Sequence, residues 1–483
     1  MNPYGKKLSA ATGRSPIVRG VIGLAGLLIL LGVVPARGQV ATLEQVPEQL
    51  TLEQAIAIAL RSNPGQVRLS NDVAVQDANV RSRYGAFLPR VALSAGFNST
   101  YRETQTGTGN FGEPLPQPRA VITKTSGSSQ SISLGQLTLF DGGQQFRNVS
   151  IATTQRLGAE ASHDGGVNTL RAAVTRAYFQ VVNAGRRVEL ERQLLTLAQE
   201  RLEFVQQQFE IAAARQSDLL GAQGEVLRQE QSLNSAALDV RRQRLALLQQ
   251  LGVSGEPVFA LTSDLPPVID PATLNADALV ARALAQHPGV RQAEVTADVS
   301  EMQASNARAT RLPTVTLNLP SYNWGATESG LFDAWGRLGA PNNSFSFGIN
   351  ASLPIFTGFS TSATIQQQQA AAEDARQTAR ETRLTAETGV RNALIDLELQ
   401  HRNLLIAQQQ ADIAQQRLEL SQEEYRLGAI TFTALQQVIQ NNDTAQRSVI
   451  DAQFQLLTAR VNLEERLGGV LTGNDQSGLV DGP

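Results

Sequence analysis

Apolar residues recur every seven positions along two long segments of the chain, and each segment carries two such series on different faces. The first series of the first segment comprises Val174, Val181, Val188, Leu195, Leu202 and Phe209. Its second series comprises Leu190, Leu197, Phe204 and Ile211. A seven-residue apolar repeat predicts helices that pack in the coiled-coil manner. Because a two-stranded coil needs only one series, two series favour a curved wall of helices that can close into a barrel.

The helices that carry these series are long. A helix from Gln144 to about residue 210 would extend roughly 100 Å at 1.5 Å per residue, and Gly165-Gly166 marks a point where it could bend. The helix that follows repeats the spacing with Leu219, Val226, Leu233, Val240 and Leu247. Together they predict a long helical hairpin over residues 144–250.

A different segment alternates apolar with small or polar residues, which predicts β-strands. The alternation runs over residues 91–97 and again over 131–140. Between them lies a stretch rich in Gly, Pro, Ser and Thr at 102–130, which predicts a loop. The pattern therefore predicts a β-hairpin over residues 87–140.

The same alternation returns over residues 315–319 and 345–355 and predicts a second hairpin over 313–356. Each strand is about ten residues, the length that a tilted strand needs to cross a bilayer. Aromatic side chains lie toward the loop ends, at Tyr101, Tyr322, Trp324 and Phe345. A soluble hairpin half-buried on a core predicts the same alternation, so the strands alone leave both interpretations open.

The chain is an internal duplication. Asn-Pro-Gly at 63–65 recurs as His-Pro-Gly at 287–289, and Leu-Pro at 88–89 recurs at 312–313, both at the same offset along the chain. From Leu139 onward the two copies are separated by a slightly shorter offset, so that Leu139 corresponds to Ile355. This offset stays constant to the end of the repeat. We call two residues related by this second offset counterparts. The second apolar series recurs at its counterparts Ile406, Ile413, Leu420 and Leu427.

The duplication sets the domain boundaries. The first repeat covers residues 39–252, a proline-rich linker covers 253–273, and the second repeat covers 274–468. The second repeat contains its own long helical hairpin at 359–467, and a glycine-rich tail follows at 469–483.

The N-terminus has the pattern of a secretory signal peptide over residues 1–38. Four basic residues precede an apolar stretch at 21–34, and Ala36 and Gly38 supply small residues at the −3 and −1 positions of a cleavage site. The alternative is a transmembrane anchor, but Pro35 and Arg37 cut the apolar run short of the roughly 20 residues that a span needs. Secretion together with duplication favours the membrane interpretation of the two β-hairpins.

Composition excludes several classes of function. The 41 basic and 44 acidic residues give a net charge of −3, which offers no broad basic field for nucleic acid. The absence of cysteine and the presence of only three scattered histidines argue against disulfides and against metal sites. No phosphate-binding loop or nucleophile elbow is present, so we expect neither a cofactor nor an enzyme.

Several motifs, taken in order, resemble those of the TolC-like outer-membrane efflux proteins over residues 50–468. They are the Ala-Leu-x-x-Asn-Pro opening at 59–64, the Leu-Pro strand entries, Leu-Phe-Asp-Gly-Gly at 139–143 and Tyr-x-x-Gly at 425–428. None of these motifs is specific alone, but their order and duplication are.

The resemblance implies a mixed α/β membrane protein of the outer membrane of a diderm bacterium, with a large periplasmic part. Three chains with four strands each would close a trimeric twelve-stranded transmembrane β-barrel, continued by a long α-helical barrel through the periplasm. Four strands from one chain would need strands from other chains as partners, since open sheet edges are not tolerated in lipid.

The resemblance also implies that the protein is the exit duct of a tripartite efflux or type I secretion system. Its partners would be a periplasmic adaptor (membrane fusion) protein and an inner-membrane pump of RND or ABC type, with outer-membrane lipid around the strands. The alternative function is a periplasmic coiled-coil adaptor or scaffold without a pore.

The candidate site residues fall into three groups. Alternation and strand position predict a membrane-facing group at Val91, Leu93, Phe345, Phe347 and Ile349. A short apolar turn with little core expected beneath it predicts an adaptor-contact tip at Leu427, Gly428, Ile430 and Phe432. For Ile430 and Phe432, the alternative is that they only cap the helical hairpin.

The third group comes from the resemblance, which implies a gate tied by Tyr425 and Asp218. Three positions depart from the family pattern: the tip arginine is Ile430 here, and the acidic ring positions are Ala434 and Gln437. Ala212 also replaces the usual glycine of the first tip. The alternative role of Tyr425 is to fill the apolar seam that it shares with Leu418.

Overall fold

The structure is a computed structural model that describes residues 47–108, 114–212, 214–255, 259–262, 266–327 and 342–471. The predicted signal peptide, with its cleavage residues Ala36 and Gly38, lies outside the described residues, as does most of the predicted tail. Within these ranges, no helix combines the length and apolar character that a membrane span requires.

The chain divides into two compact units, one of strands and one of helices. In chain order the helices are α1 (Leu52–Ser62), α2 (Pro64–Gly85), α3 (Gln144–Glu210), α4 (Gln216–Leu251), α5 (Ala276–Gln286), α6 (Pro288–Ala309), α7 (Ser360–Arg426) and α8 (Phe432–Leu467). We call α3 with α4 hairpin 1 and α7 with α8 hairpin 2.

The helix lengths repeat. Both α3 and α7 contain 67 residues, and both α4 and α8 contain 36. The shorter helices also match, with 11 residues in α1 and α5 and 22 in α2 and α6. The duplication inferred from sequence motifs is therefore confirmed by equal pairs of helices.

The long helix α3 runs without interruption through Gly165 and Gly166, so the two glycines do not end or divide it. A Cβ atom added at Gly166 would lie 2.1 Å from Leu69 Cδ1, and one added at Gly165 would lie 3.4 Å from Pro288 Cβ. The glycines instead allow α2 and the start of α6 to approach α3 closely, a use of glycine that needs only the missing side chain.

Two large buried clusters hold the helical unit together, and matching residues of the two repeats lie in them. Val174, Val181, Leu247 and Leu251 belong to the first. Their counterparts belong to the second, namely Val390, Leu397, Leu463 and Leu467. Each of these eight side chains is at most 4% exposed. The first apolar series is therefore buried at Val174 and Val181, whereas its last member, Phe209 at the tip, is 40% exposed.

The first cluster contains a buried tyrosine that ties two short strands to α3. The hydroxyl of Tyr178 lies 3.1 Å from the carbonyl oxygen of Leu50 and 2.7 Å from that of Thr262. These carbonyls flank the parallel pair formed by β1 (Gln49–Leu50) and β5 (Ala260–Leu261). The contact satisfies a hydroxyl that would be costly to bury alone.

The strand unit is one antiparallel sheet. Its strands are β2 (Ala92–Thr108), β3 (Pro114–Ser133), β4 (Gln136–Phe140), β6 (Thr314–Thr327) and β7 (Asn342–Ser352). β2 pairs with β3, and β7 pairs with β6. β3 and β4 both pair with β6, at successive positions along it. Counted across its width, the sheet is four strands wide within the described residues.

The predicted loop at 102–130 is wrong, because most of it is strand. β2 and β3 pair in unbroken register from Ala92 opposite Ser133 to Thr106 opposite Arg119. Backbone groups supply the ladder hydrogen bonds whatever the side chains, and threonine favours strands. The strands have 17, 20, 14 and 11 residues in β2, β3, β6 and β7, so the estimate of about ten is too short for three of them.

The second strand of the first hairpin is also divided, since β3 ends at Ser133 and β4 begins at Gln136. Between them Gly135 has a φ of +74°. A Cβ atom there would lie 3.2 Å from the carbonyl oxygen of Arg90. Both the left-handed backbone and the close contact require glycine at this position.

Candidate functional site: the helical tips and the contacts between hairpins

The turn of hairpin 2 is tight and exposes its apolar apex. Gly428 has a φ of +73°, and its N–H donates to the carbonyl oxygen of Tyr425 at 2.9 Å. This left-handed glycine ends α7 as the Tyr-x-x-Gly spacing predicts. Beside it the Leu427 side chain is 79% exposed. The N–H of Ala434 donates to Thr431 Oγ1 at 3.3 Å and caps the start of α8.

The turn of hairpin 1 also contains a left-handed residue, but that residue is not glycine. Ala212, the counterpart of Gly428, adopts a φ of +53°. An alanine here occupies the left-handed region that favours glycine. Ile211, the counterpart of Leu427, is 76% exposed. Each tip thus presents one large apolar side chain to its surroundings.

Phe432 lies beneath the second tip rather than on its surface. It is 7% exposed and packs with Val205 and Ala222 of hairpin 1. A Cβ atom added at Gly221 would lie 2.9 Å from Phe432 Cε1, so the missing side chain makes room for the ring. The expectation of little core beneath this residue is wrong, because the space is provided by the other hairpin. Ile430 is half-buried against the cluster that contains Leu418.

Tyr425 joins the two clusters at the tips. Its ring centroid lies 5.8 Å from that of Phe432, and the side chain packs on Leu418 as well as on residues of hairpin 1. Burial raises the pKa of the Tyr425 hydroxyl, and the nearby charge of Asp218 raises the pKa further. Within the described residues the hydroxyl makes no hydrogen bond to that carboxylate, so Asp218 acts on it through charge alone.

Asp218 uses its carboxylate at the start of α4. It accepts from the N–H of Arg215 at 3.4 Å and from the Ser217 hydroxyl at 3.3 Å. The other predicted gate positions, Ala434 and Gln437, are both exposed on α8. Gln437 Nε2 donates to Asn441 Oδ1 at 3.2 Å, a contact within the same helix.

Hairpins 1 and 2 are joined by arginine–carboxylate pairs between α3 and α8. In the described part of the chain three such pairs lie between residues 176–191 of α3 and residues 447–465 of α8. They are Arg176 with Glu465 at 2.8 Å, Arg187 with Asp451 at 2.8 Å, and Arg447 with both oxygens of Glu191 at 2.7 and 2.8 Å. We call these three pairs the ladder.

The pair nearest the tips is part of a buried polar group that we call the clasp: Glu191, Gln229, Asp443 and Arg447. Glu191 is 6% exposed and Asp443 is 2% exposed. Gln229 Nε2 donates to Asp443 Oδ2 at 3.0 Å and to Glu225 Oε1 at 3.0 Å. The clasp therefore links three helices, α3, α4 and α8.

Not every polar atom of the clasp has a hydrogen-bond partner. In the described structure Asp443 Oδ1 is buried and has no hydrogen-bond partner. Burial raises the pKa of Asp443, while the charges of Arg201 and Arg447 lower it and that of Glu225 raises it. The pKa of Arg447 is raised chiefly by its hydrogen bonds to Glu191. A buried carboxylate with an unpaired oxygen is unfavourable, so this part of the clasp opposes folding.

Sequence reasoning missed the clasp. One signal was present: Asn442 occupies a position of the apolar series Leu435, Asn442, Val449, Leu456 and Leu463 and is 3% exposed. A polar residue at a coiled-coil core position often fixes register. The partners on α3 and α4 belong to the other repeat, and the spacing within α8 gives no sign of them.

The second apolar series is mostly exposed. In hairpin 1 Leu190 is buried at 9% exposure, whereas Leu197, Phe204 and Ile211 are 41%, 41% and 76% exposed. In hairpin 2 the counterparts are more exposed, with Ile406 at 53%, Ile413 at 61%, Leu420 at 61% and Leu427 at 79%. Contiguous exposed apolar surface of this kind marks an interaction site.

The predicted membrane-facing residues are exposed on the sheet. Leu93, Phe345, Phe347 and Ile349 are 62–72% exposed and stand in strands, while Val91, at 47%, precedes β2 by one residue. Hydroxyl groups occupy intervening positions and pair across the strands. These pairs are Ser94 with Ser131 at 2.6 Å and Ser321 with Ser346 at 2.8 Å. The sheet thus has an apolar set and a polar set of alternating residues, as strand geometry requires.

No metal-ligating cluster of His, Cys, Asp or Glu occurs among the described residues. A cavity of about 350 Å³ near the tips lies between α3 and the ends of α7 and α8 and contains Arg201 and Tyr425. It is lined by both charged and apolar side chains and has no arrangement of a nucleophile and a base.

Known proteins are similar to this chain in sequence and in fold. Protein CyaE of Bordetella pertussis is 27% identical over 364 residues, covering 72% of this chain and 69% of that protein. Outer membrane protein TolC of Vibrio cholerae is 23% identical over 408 residues, covering 80% of this chain and 84% of that protein. The crystal structure of VceC, also from Vibrio cholerae, superposes with a TM-score of 0.63 at 18% identity, covering 87% of this chain and 96% of that chain.

The family model named outer membrane efflux protein matches residues 56–253 and 279–469, which are the two repeats without the linker. The match includes both helical hairpins and both segments of the sheet. The chain belongs to the outer membrane efflux protein family.

Proposed function

We propose that three copies of this chain assemble into an outer-membrane exit duct, with a twelve-stranded transmembrane β-barrel and a periplasmic tunnel of helices. The observation that carries the proposal is the exposed second apolar series on both hairpins. A helix with one buried and one exposed apolar face needs a further helix to cover it. A second copy of the chain offers the matching surface.

The sheet supports the same assembly. It is four strands wide, and β2 and β7 are its edges. Unpaired strand edges cannot face lipid, and four strands cannot close a pore. Neighbouring copies that pair β7 with β2 would remove every edge, which gives the trimer its twelve strands.

As a duct, the protein passes cargo from an inner-membrane pump and a periplasmic adaptor to the outside. Similar proteins are named for efflux and export, as in the pyoverdine export outer membrane protein OpmQ of Pseudomonas aeruginosa, 26% identical over 313 residues. An RND or ABC pump and a membrane fusion protein are the partners that this role requires. A periplasmic scaffold without a pore is the alternative.

Fractionation separates the two functions. A duct remains with the outer membrane through a high-salt wash and migrates as a trimer in native electrophoresis, whereas a scaffold is released by salt. Release of the protein, or a monomer in mild detergent, would overturn the proposal.

The strand residues give a matched test of membrane insertion. Ile349→Asp places a charge on the proposed lipid face and should cost about 2–4 kcal/mol near the bilayer centre. Asn350→Asp, one residue further along β7, places the same charge on the opposite face. Membrane assembly should be lost in the first variant and kept in the second. The reverse result would mean that Asn350, and not Ile349, faces the lipid.

The adaptor contact that we propose is the exposed part of the second tip. Leu427 and Gly428 form its apex, and Ile430 supports them from a half-buried position. Phe432, which the sequence predicted as part of the contact, is not included in it because the side chain is buried under the tip. Leu427→Asp should keep the trimer and reduce adaptor binding in pull-down. Unchanged binding would remove the apex from the contact.

The gate that we propose is formed at the tips by Tyr425 and Asp218, which lie close enough for the charge of Asp218 to raise the pKa of the Tyr425 hydroxyl after burial has raised it. Ala434 and Gln437 leave the entrance without an acidic ring, so we expect weak cation selectivity and poor block by trivalent cations. In planar bilayers, Tyr425→Phe combined with Asp218→Ala should raise the resting conductance. A double variant that conducts like the parent would support the alternative that Tyr425 only fills the apolar seam.

A further inference from the structure

Each repeat joins its two short helices through a residue whose side chain caps the second helix. In the first repeat the N–H of Gly65 donates to Asn63 Oδ1 at 2.8 Å. In the second repeat the N–H of Gly289 donates to Nδ1 of His287 at 3.1 Å. A Cβ atom added at either glycine would lie 3.0 Å from the capping side chain, so both glycines make room for the cap. The Asn-Pro-Gly and His-Pro-Gly motifs are therefore two chemical versions of one helix cap.

The capping residue also lies against the end of a long hairpin. A Cβ atom added at Gly252, which follows α4, would lie 3.0 Å from Asn63 Cα. One added at its counterpart Gly468, which follows α8, would lie 3.3 Å from His287 Cα. Asn63 Nδ2 also donates to the carbonyl oxygen of Gln250 at 2.9 Å. We call the site around Asn63 junction 1 and the site around His287 junction 2.

Junction 2 also contacts α3, a helix of the other repeat. Asn168 Nδ2 donates to the carbonyl oxygen of Gly468 at 2.9 Å. A Cβ atom added at Gly165 would lie 3.4 Å from Pro288 Cβ, so the start of α6 approaches α3 closely. The cap at His287 therefore holds the start of α6 where parts of both repeats meet.

The two caps respond differently to protons. The Asn63 amide oxygen accepts a hydrogen bond without taking up a proton, whereas Nδ1 of His287 accepts one only while it carries no proton. In the protonated ring both nitrogens are donors, so Nδ1 would face the N–H of Gly289 with a second N–H. The backbone N–H cannot turn to become an acceptor, and the contact would be lost.

The charged groups around the imidazole do not favour its positive form. The charged side chains at junction 2 are Arg282 of α5, Arg291 of α6, Asp164 and Arg176 of α3, and Glu465 and Arg466 of α8. Both carboxylates are paired with arginines, Glu465 with Arg176 at 2.8 Å and Asp164 with Arg291 at 3.2 Å. Burial lowers the pKa of His287, Arg466 lowers it further, and Glu465 raises it.

We propose that His287 is an acid-sensitive cap, whose protonation releases the N–H of Gly289 and loosens the start of α6 from the end of α8. Junction 1, with asparagine at the same place, keeps its cap in acid. The folded junction holds the proton less tightly than the open one. The stability from this cap is therefore complete above the ordinary histidine pKa of about 6.5 and is lost as the pH falls toward the lowered value.

A second histidine lies near junction 1 but makes a different kind of contact. Nε2 of His163 lies 2.7 Å from Nε2 of Gln66. The amide of Gln66 can turn and present its oxygen to a protonated ring, which a backbone N–H cannot do. His163 is therefore the matched control for a histidine whose protonation does not break a cap.

Hydrogen exchange of the full chain in mild detergent tests the proposal. Overlapping peptides that cover α1 with α2 and α5 with α6 are compared at about pH 7.5 and about pH 5, after correction for intrinsic exchange rates. In the parent, protection at residues 289–291 should fall several-fold in acid, and the ordinary histidine pKa limits the loss to about 30-fold at pH 5. Protection at residues 65–67 should not fall in the same way.

Exchanging the capping residues between the repeats gives the decisive variants. His287→Asn should keep junction 2 protected at both pH values, and Asn63→His should make junction 1 acid-sensitive. His163→Gln should leave both junctions as in the parent. A parent that loses no protection at junction 2 in acid, or a His287→Asn variant that loses as much as the parent, would overturn the proposal.

Asn63→His decides the outcome if His287→Asn already lacks protection at neutral pH. An Asn63→His junction that stays protected in acid would then contradict the acid-sensitive cap, and one that opens only in acid would support it. These amides exchange within single chains whether or not three copies assemble. Failure of the exit duct proposed above would therefore leave this result unchanged.

Discussion

The tips of the two hairpins are copies of one another, yet they are buried differently. Phe432 of hairpin 2 is 7% exposed, whereas its counterpart Gln216 in hairpin 1 is an exposed polar residue. Tyr425 packs into two clusters, whereas its counterpart Phe209 is 40% exposed. The two repeats thus have helices of equal length, but the side chains at their tips are buried to different extents. Which tip residues are buried depends on the helices that pack against each tip. The cluster that buries Phe432 is completed by Val205 and Ala222 of hairpin 1.

The largest expected difference between the tips comes from a charge at the buried ring. Phe432→Asp removes a packed aromatic ring and buries a carboxylate, which should lower the free energy of unfolding by about 4 kcal/mol or more. Gln216→Asp places the same charge at the equivalent exposed position and should change it by less than about 0.5 kcal/mol. Thermal unfolding followed by circular dichroism, with limited trypsin digestion of the tips, measures both. Similar losses in the two variants would contradict the difference in burial.

The clasp should give the next largest effect. Arg447→Ala leaves Glu191 buried without its partner, which should cost about 3 kcal/mol. The counterpart Gln231→Ala should cost less than about 0.5 kcal/mol, since its side chain is exposed. The double variant Glu191→Ala with Arg447→Ala should be more stable than Arg447→Ala alone, because no unpaired charge remains. A double variant that is less stable than either single one would mean that the pair is strongly stabilising in itself.

A smaller effect depends on pH. Burial raises the pKa of Asp443, so the folded chain holds this proton more tightly than the unfolded chain. The stability that the residue contributes is therefore complete below its ordinary pKa of about 3.9 and is lost as the pH rises through the raised value. Asp443→Asn should raise the melting temperature at neutral pH, and the gain should shrink as the pH falls.

Asp451→Asn, at a partly exposed carboxylate of the ladder, is the control on the same helix. It should not reproduce the gain at neutral pH. Should Asp443→Asn lower the melting temperature at neutral pH, the attraction to Arg201 and Arg447 would outweigh the cost of burial.

The smallest effect concerns the two left-handed turn residues. Ala212→Gly should relieve a strained backbone and stabilise tip 1 by up to about 1 kcal/mol, less the added flexibility of the unfolded chain. Gly428→Ala should destabilise tip 2 by about 1 kcal/mol for the same reason. Opposite signs are the prediction, read from melting temperatures. Equal signs would mean that φ is not what distinguishes the two residues.

The sequence by itself determined the repeating elements. Seven-residue spacing identified the long helices and their inward face, as Val174 and Val390 show, because side chains on a helix surface recur with a fixed period. Two-residue alternation identified the strands, and the constant offset between counterparts identified the pairs of equal helices. The glycine of the second tip followed from a local conformational requirement, because glycine adopts the left-handed conformation without strain. The helices, strands and turn glycine could be predicted because each depends on residues within a few positions along the chain.

The tertiary structure decided everything that joins distant parts of the chain. Residues 102–108 and 114–130 become strand because β2 and β3 supply each other with partners along the backbone ladder. Phe432 is buried because Gly221, in the other repeat, leaves room for its ring. The clasp joins Glu191, Gln229 and Asp443 from three helices, and each looks like an ordinary polar residue in its own helix. Burial and charge pairing are properties of the assembled surfaces, so only the fold could show which of two duplicated hairpins carries them.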